Sequence, residues 1–222
     1  MQLGTLYVVA TPIGNIHDIY LRALDVLKEV DRVICEERKV GSTLLNKLEI
    51  GKKPLFELNE HNEAELAQEV MMFLVNGENL ALISDCGTPA FADPGALLVD
   101  LALDYGIEVV PIPGASSLMT ILSVAPVKLT EFFYVGFLPR KESPRRMKLD
   151  QLRRMRVPLI IMDTTYRLER TLNDIQKTFG KGRMLTIGIN LTLPGERILY
   201  APVGELAKRF KGKKAEFILI VH

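Results

Sequence analysis

In the first half of the chain, short apolar segments alternate with segments of helical periodicity, and this alternation is the feature that most restricts the fold. Four nearly all-apolar strands are predicted over 5–10, 32–37, 79–84 and 107–112. Helices are predicted over 19–30, with Asp18 as the N-cap, and over 63–75, 94–105 and 116–122. Strands of this kind, separated by helices, are typical of a parallel sheet that is covered on both faces.

Beyond Lys128 the pattern changes. An aromatic-rich strand at 131–138 is followed by a strongly basic segment, then by further strands at 157–163, 183–190 and 216–222, with a helix at 167–179. A chain of 222 residues is long enough for two small domains. We therefore expect an α/β protein with two α/β domains, residues 1–115 and 116–222.

The two halves carry opposite charge. Residues 1–131 contain 9 Lys and Arg against 19 Asp and Glu, whereas residues 132–222 contain 19 against 8. The positive half is suited to a polyanionic partner. Equally, the two halves could simply attract each other or a second subunit.

No apolar run approaches the length of about 20 residues that a membrane helix needs, and the N-terminus reads as a strand rather than a signal peptide. The two cysteines, Cys35 and Cys86, form no metal or disulfide pattern. These features favour a cytoplasmic protein without a metal and without membrane association. Cys86 is more typical of a small packing residue than of a nucleophile.

Three predicted strands end in loops rich in glycine and proline: "TPIGN" at 11–15, "DCGTPAFADPG" at 85–95 and "PGASS" at 113–117. Each alone could be an ordinary strand–helix turn. Because ligands of parallel sheets bind beyond the carboxyl ends of the strands, three such loops together indicate a site lined by backbone. The sequence lacks the phosphate-loop, dinucleotide and nucleophile-elbow motifs, and it has no cluster of metal ligands.

These loops, with "VGFLPRK" at 135–141, resemble the tetrapyrrole methylase superfamily, and most closely its small-subunit ribosomal RNA methyltransferase branch. The resemblance covers nearly the whole chain and also includes "NEHNE" at 59–63 and the closing "EFILIV". It implies two α/β domains with S-adenosylmethionine (SAM) in the cleft between them, a homodimer, and 2′-O-methylation of a ribose in small-subunit ribosomal RNA.

The resemblance also assigns the cofactor-binding residues. They are Pro12, Gly14, Asp85, Gly87, Thr88, Pro89, Asp93, Gly95, Gly114, Ser116, Ser117 and Met162. SAM is already an activated electrophile, so such a site mainly has to align the methyl donor with its acceptor.

Three signatures of the ribosomal RNA branch are altered in this chain. Glu-Asp-Thr-Arg reads "EERK" from Glu36, Tyr-Glu-Ser-x-His-Arg reads "MDTTYR" from Met162, and Ala-Arg-Glu-x-Thr-Lys reads "GINLTL" from Gly188. Two of these changes fall in the second domain, where acceptor contacts are expected. An acceptor of another kind, a tetrapyrrole or other small molecule, therefore stays open, as does a SAM- or RNA-binding module without turnover.

The basic segment 140–156 contains eight Lys and Arg against two acidic residues, which suits an RNA backbone. The residues that we expect to contact RNA are Arg140, Lys141, Arg145 and Arg146. A solvated helix face is the alternative interpretation of this segment.

A base that deprotonates a sugar hydroxyl would assist the reaction. The candidates are Glu36, Glu37, His61 and Glu63. The alternative is that most of them make capping or interdomain contacts, because Asn62 and Glu65 resemble the start of a helix. The sequence thus predicts a SAM-dependent methyltransferase, most similar to those that act on small-subunit ribosomal RNA.

Overall fold

The computed structural model describes residues 2–222. The chain divides into two compact units, one that ends at Ser116 and one that comprises Ser117–His222. Each unit is built on a five-stranded sheet.

The sheet of the first unit contains β1 (Thr5–Val9), β2 (Arg32–Cys35), β3 (Leu55–Glu57), β4 (Leu80–Ile83) and β5 (Glu108–Ile112). Its order is β3-β2-β4-β1-β5, and every neighbouring pair is parallel. The predicted parallel sheet is confirmed. All five strands therefore end at one edge of the sheet, where the three Gly/Pro loops begin.

Four helices cover this sheet: α1 (Leu21–Glu29), α2 (Arg38–Lys47), α3 (Glu63–Val75) and α4 (Ala96–Asp104). Successive residues of β4 point to opposite faces. Leu80 and Leu82 pack in a core with residues of α3 and α4, whereas Ala81 and Ile83 pack with residues of α1 and α2. Burial on both faces explains why β4 is apolar throughout.

Some local predictions for this unit were wrong. Asp18 does not cap α1; it closes a 3-10 turn, Ile16–Asp18, and Tyr20 occupies the N-cap position without a side-chain hydrogen bond. Helix α2 and strand β3 were not predicted. The first contains Gly41, Ser42 and Thr43, which are weak helix formers, and the second has only three residues.

The second unit contains α5 (Ser117–Ser123), β6 (Phe133–Phe137), α6 (Glu142–Leu152), β7 (Leu159–Asp163), α7 (Leu168–Phe179), β8 (Met184–Ile189), β9 (Arg197–Pro202), α8 (Val203–Arg209) and β10 (Phe217–Val221). The sheet order is β6-β7-β10-β8-β9. Strands β6 and β7 are parallel, and the other neighbours are antiparallel. The sheet is therefore mixed, and β9 and α8 were not predicted.

The topology of this second sheet brings distant segments together. Strands β7 and β8 both run antiparallel to β10, so they run parallel to each other. Their carboxyl ends, together with that of β6, lie at the edge where β10 begins. Among residues 2–222, no helix is long and apolar enough to cross a membrane.

Candidate functional site

The loops after β1 and β4 are joined directly. The backbone N–H of Thr11 donates to the carbonyl of Gly87 at 2.8 Å, and the N–H of Gly87 donates back at 3.1 Å. The buried hydroxyl of Thr11 also donates to the carbonyl of Ser84 at 3.0 Å. Two loops that lie far apart in sequence thus form one fixed wall at the carboxyl edge of the first sheet.

The loop after β4 has a backbone that only a few residue types accept. Gly87 has a φ of +84° and Gly95 a φ of +128°. The hydroxyl of Ser84 donates to a carboxylate oxygen of Asp93 at 2.6 Å, which ties the two ends of the loop together. The clustered glycine and aspartate residues of 85–95 therefore define a folded loop rather than a flexible one.

The loop after β5 packs closely on β1. A Cβ at Gly114 would lie 2.9 Å from the Cβ of Ala10, so a side chain does not fit there. Gly114 has no positive φ, and its importance lies in this close approach. The hydroxyl of Thr88 donates to the carbonyl of Ala115 at 3.4 Å, which links this loop to the one after β4.

The remaining loop residues differ in exposure. Pro12 and Pro89 are buried, whereas Gly14 and Thr88 are exposed. Gly14 and Thr88 are therefore accessible from solvent, whereas the two prolines are packed inside the protein.

Acidic residues gather at the same sheet edge. Burial raises the pKa of Glu36 above its ordinary value, and the carboxylates of Asp93 and Asp85 raise it further. Burial also raises the pKa of Asp85, although the backbone N–H of Glu37 donates to its carboxylate at 3.1 Å and opposes the shift. The edge is therefore a place where a cationic group would be stabilised.

Two of the candidate bases have other roles. One carboxylate oxygen of Glu63 accepts from the backbone N–H groups of Gly95 and Leu97, at 2.8 and 3.1 Å, and so caps the start of α4. The side chain of His61 is 84% exposed and lies beside Glu60, an arrangement of the solvated surface. Glu63 therefore has the capping role that the sequence offered as the alternative, and His61 lies on the solvated surface; a role of either side chain as the base stays a prediction.

The other two candidate bases, Glu37 and Glu36, differ in burial. Glu37 is exposed and precedes the first residue of α2, where its backbone N–H serves Asp85. Glu36 is half-buried at the end of β2 and faces the acidic group described above. Of the four candidates, Glu36 has the environment that a buried acid–base group needs.

In the second unit, two predicted cofactor residues touch each other. The hydroxyl of Ser117 donates to the sulfur of Met162 at 3.9 Å, and the hydroxyl of Tyr134 donates to the same sulfur at 3.0 Å. Met162 lies on β7 and Ser117 begins α5. Ser116, the other predicted serine, is half-buried at the end of the first unit.

The basic segment is helix α6 and its flanks, and one of its predicted RNA contacts is wrong. Arg145 is 1% exposed, and its guanidinium donates to Asp174 at 2.7 Å and to the carbonyl of Arg140 at 2.8 Å. It is a buried structural residue and does not reach an external phosphate. Arg140, Lys141 and Arg146 are exposed, as the prediction requires.

Arg167 and Asp163 form a second buried ion pair, which was not predicted and which holds the turn after β6. Arg167 lies 3.1 Å from the carboxylate of Asp163 and donates to the carbonyls of Leu138 and Pro139, at 2.9 and 3.1 Å. The hydroxyl of Thr171 donates to Asp163 at 3.0 Å. Arg145 and Arg167 therefore hold the segment before Lys141 from two sides. The signal available in the sequence was the pair of acidic and basic residues retained in "MDTTYR".

Within residues 2–222, no group of three or more His, Cys, Asp or Glu side chains is arranged to hold a metal ion. The polar groups at the first sheet edge are backbone amides, hydroxyls and carboxylates.

Relatives with assigned functions match the chain over its length. It is 39% identical over 222 residues to the ribosomal RNA small subunit methyltransferase I of Leptospira biflexa, covering 100% of this chain and 92% of that protein. It is 41% identical to the protein of the same name from Escherichia coli O157:H7, covering 98% of this chain and 77% of the relative.

Solved structures share the fold at low sequence identity. A uroporphyrin-III C-methyltransferase of Thermus thermophilus, complexed with S-adenosylhomocysteine, matches with a TM-score of 0.67 and 18% identity, over 99% of this chain and 98% of that one. A cobalt precorrin-4 methyltransferase matches with a TM-score of 0.69 and 17% identity, over 98% and 94%. The model of the tetrapyrrole (corrin/porphyrin) methylases matches residues 5–207. The fold, the relatives and this match together show that the chain belongs to the tetrapyrrole (corrin/porphyrin) methylase family and is a methyltransferase.

Proposed function

We propose that this protein transfers the methyl group of SAM to a ribose 2′-hydroxyl of small-subunit ribosomal RNA. The observation that carries the proposal is the sequence identity of about 40% to ribosomal RNA small subunit methyltransferases, which extends through both units. The loops of the first unit are consistent with SAM as the methyl donor, and the positive charge of the second unit is consistent with RNA as the acceptor.

The first sheet edge fits the chemistry of SAM. The cofactor is cationic at its sulfonium and amino groups, and Glu36 and Asp85 supply negative charge there. The exposed Thr88 supplies a hydroxyl for its ribose or amino acid portion, and the hydrogen bonds of Gly87 to Thr11 hold the loop that carries Thr88. Asp93 accepts a hydrogen bond from Ser84, and neither Gly95 nor Gly114 has room for a Cβ, so these three residues shape the loops. Pro12, Gly14, Pro89, Ser116, Ser117 and Met162 remain proposed cofactor contacts.

The bound cofactor supplies an electrophilic methyl group, so the protein has to position and deprotonate the acceptor. The hydroxyl oxygen forms a bond to the methyl carbon as the carbon–sulfur bond breaks, and S-adenosylhomocysteine leaves. We assign the hydroxyl proton to Glu36, whose raised pKa makes it a better base near neutral pH than an ordinary glutamate. No metal is needed for this step.

The second unit supports an RNA acceptor. Residues 132–222 contain 19 Lys and Arg against 8 Asp and Glu. Arg140, Lys141 and Arg146 are exposed on one stretch of it, and we propose that they bind RNA phosphates. The fixed turn before Lys141 gives these charges a defined position.

We further propose a homodimer in the cytoplasm. The opposite charges of the two halves can pair reciprocally across a two-fold axis, and ribosomal subunits are found in that compartment. Light scattering at micromolar concentration should report twice the mass of the chain, 24.9 kDa. A monomeric mass would contradict this assembly.

The decisive experiment uses methyl-labelled SAM and small ribosomal subunits that lack the modification. Label should enter the RNA, and nuclease digestion should release it as a 2′-O-methylated nucleotide. Fully modified subunits are the matched control and should accept no label. Transfer to a uroporphyrinogen but not to the subunits would instead favour a tetrapyrrole acceptor, and SAM binding without transfer to either would indicate a module without turnover.

A further inference from the structure

Tyr166 is an aromatic side chain that the proposed chemistry does not use. It lies in the 3-10 turn Thr165–Arg167 that follows β7, and it is 77% exposed. The ammonium of Lys214 lies 4.7 Å from the centre of its ring. A tyrosine ring that is so exposed buries little apolar surface, so its position beside a lysine does not stabilise the fold through hydrophobic packing.

The surroundings of this ring form a shallow depression. It is lined by residues from three chain segments: Thr165 and Tyr166 after β7, Asn190, Leu193 and Pro194 after β8, and Lys214, Ala215 and Glu216 before β10. The mixed topology of the second sheet brings these segments to one edge. The same edge carries the turn that leads to Arg140 and Lys141.

The walls of the depression are fixed by the backbone. The N–H of Asn190 donates to the carbonyl of Glu216 at 2.9 Å, and the N–H of Glu216 donates to the side-chain oxygen of Asn190 at 3.1 Å. Asn190 has a φ of +49°, a left-handed conformation that asparagine adopts more readily than most residues other than glycine. On the other side, Arg167 is held by Asp163. The aromatic ring is therefore exposed on a rigid support.

We propose that Tyr166, with Lys214, forms a stacking platform for an unpaired base of the RNA that the enzyme methylates. An exposed ring beside an ammonium group matches both parts of a single-stranded nucleotide, the base and its phosphate. Two further exposed lysines, Lys211 and Lys213, precede Lys214 in the chain. The inference rests on the proposed function, since it requires an RNA acceptor, and it selects unpaired rather than double-stranded RNA.

The chain contains no tryptophan, which allows a direct test. Tyr166→Trp places a single fluorescent indole at the platform. Titration with a short single-stranded oligoribonucleotide should quench its emission if a base stacks on the ring. The same oligoribonucleotide annealed to its complement should quench it much less.

Binding measurements on further variants separate stacking from charge. Tyr166→Ala should weaken binding of the single strand about tenfold, with the salt slope unchanged, because a neutral stacking contact releases no counterions. Lys214→Ala should lower the salt slope by about one. Tyr166→Phe should bind like the wild type, since the ring is retained. Tyr200→Ala, which removes another exposed tyrosine from β9 of the same unit, is the matched control and should also bind normally.

The outcomes distinguish this inference from the proposed function. If the wild-type protein methylates small subunits and binds the single strand, but Tyr166→Trp is not quenched and Tyr166→Ala binds normally, the platform is overturned and the proposed function stands. If the wild-type protein binds no RNA and methylates no subunits, both fail. SAM affinity should be equal in all variants, so any change in it would point to misfolding rather than to lost stacking. If Tyr166→Ala misfolds, the quench of the Tyr166→Trp protein decides, and no quench by the single strand overturns the platform.

Discussion

Thr11 and Gly87 lie 76 residues apart and exchange two backbone hydrogen bonds. This pair joins the loops after β1 and β4 at the carboxyl edge of the first sheet. It lets two short loops act as one wall, and it depends on a glycine with positive φ at position 87.

Gly87→Ala should therefore weaken SAM binding. At a φ of +84°, a Cβ costs about 1 to 2 kcal/mol of backbone strain, and it would lie 3.3 Å from a methyl group of Ile13. Gly106→Ala is a matched control, because Gly106 has a φ of +72° with open space around it, away from the loops. Calorimetry should show similar losses of stability in both variants but a raised Kd for SAM only in Gly87→Ala. Equal SAM affinity in the two would separate this loop from the cofactor.

Glu36→Gln should lose methyl transfer and gain stability at neutral pH. If Glu36 is the base, the rate at saturating SAM should fall by about a hundredfold or more. SAM affinity should fall as well, because Glu36 also supplies negative charge at the proposed cofactor edge. Because the folded-state pKa lies above the ordinary 4.5, the folded protein binds the proton more tightly than the unfolded chain does. The contribution of Glu36 to stability is thus present at acid pH and is lost as the pH rises through the folded pKa.

A melting series from pH 4 to pH 8 checks this sign. The variant should melt above the wild type at neutral pH, and the difference should shrink as the pH falls towards 4.5. Glu37→Gln, at the exposed neighbouring position, should retain methyl transfer. Normal transfer by Glu36→Gln would exclude Glu36 as the base.

Arg145 and Arg146 are adjacent in sequence and should respond in opposite ways. Arg145→Met leaves the nearly buried carboxylate of Asp174 without its partner, and it should lower the free energy of unfolding by about 3 to 5 kcal/mol. Arg146→Ala removes an exposed side chain, and it should change stability by no more than about 0.5 kcal/mol while flattening the salt dependence of RNA binding. Denaturant unfolding and RNA titration of both variants test the contrast. A stable Arg145→Met protein would show that the buried pair is dispensable.

The reactivity of the two cysteines should show whether the loop 85–95 covers the cofactor. Burial raises the pKa of the Cys35 thiol to about 12, so it should not react with an alkylating reagent at pH 8 until the protein unfolds. Cys86 is exposed in the loop 85–95 and should react in the native state. S-adenosylhomocysteine should slow the modification of Cys86, as measured by mass spectrometry of the alkylated peptides. No protection at saturating ligand would argue that this loop does not cover the cofactor.

Much of the first unit was predictable because its strands are largely apolar and the central strand β4 is buried on both faces. The apolar runs at 79–84 and 107–112 leave few alternatives to parallel strands, and the Gly/Pro loops mark where those strands end. Helix α3 was predicted with its observed bounds, since its apolar residues keep a helical period. The second unit was less predictable. Strand β9, RILYAP, is a largely exposed edge strand whose apolar residues do not alternate with polar ones, so its sequence carries no clear strand period.

The sequence by itself determined the family, the parallel sheet and the three loops, because these depend on local periodicity and on residue types that few conformations accept. Only the tertiary structure decided which charged residues are available. Arg145 and Arg146 look alike in sequence, and one is buried against Asp174 while the other faces solvent. Glu63 and Glu36 were equal candidates until packing placed one on the backbone of α4 and the other in the acidic group. The physical reason is that the environment of an ionisable group is set by segments distant in sequence, which only the folded chain brings together.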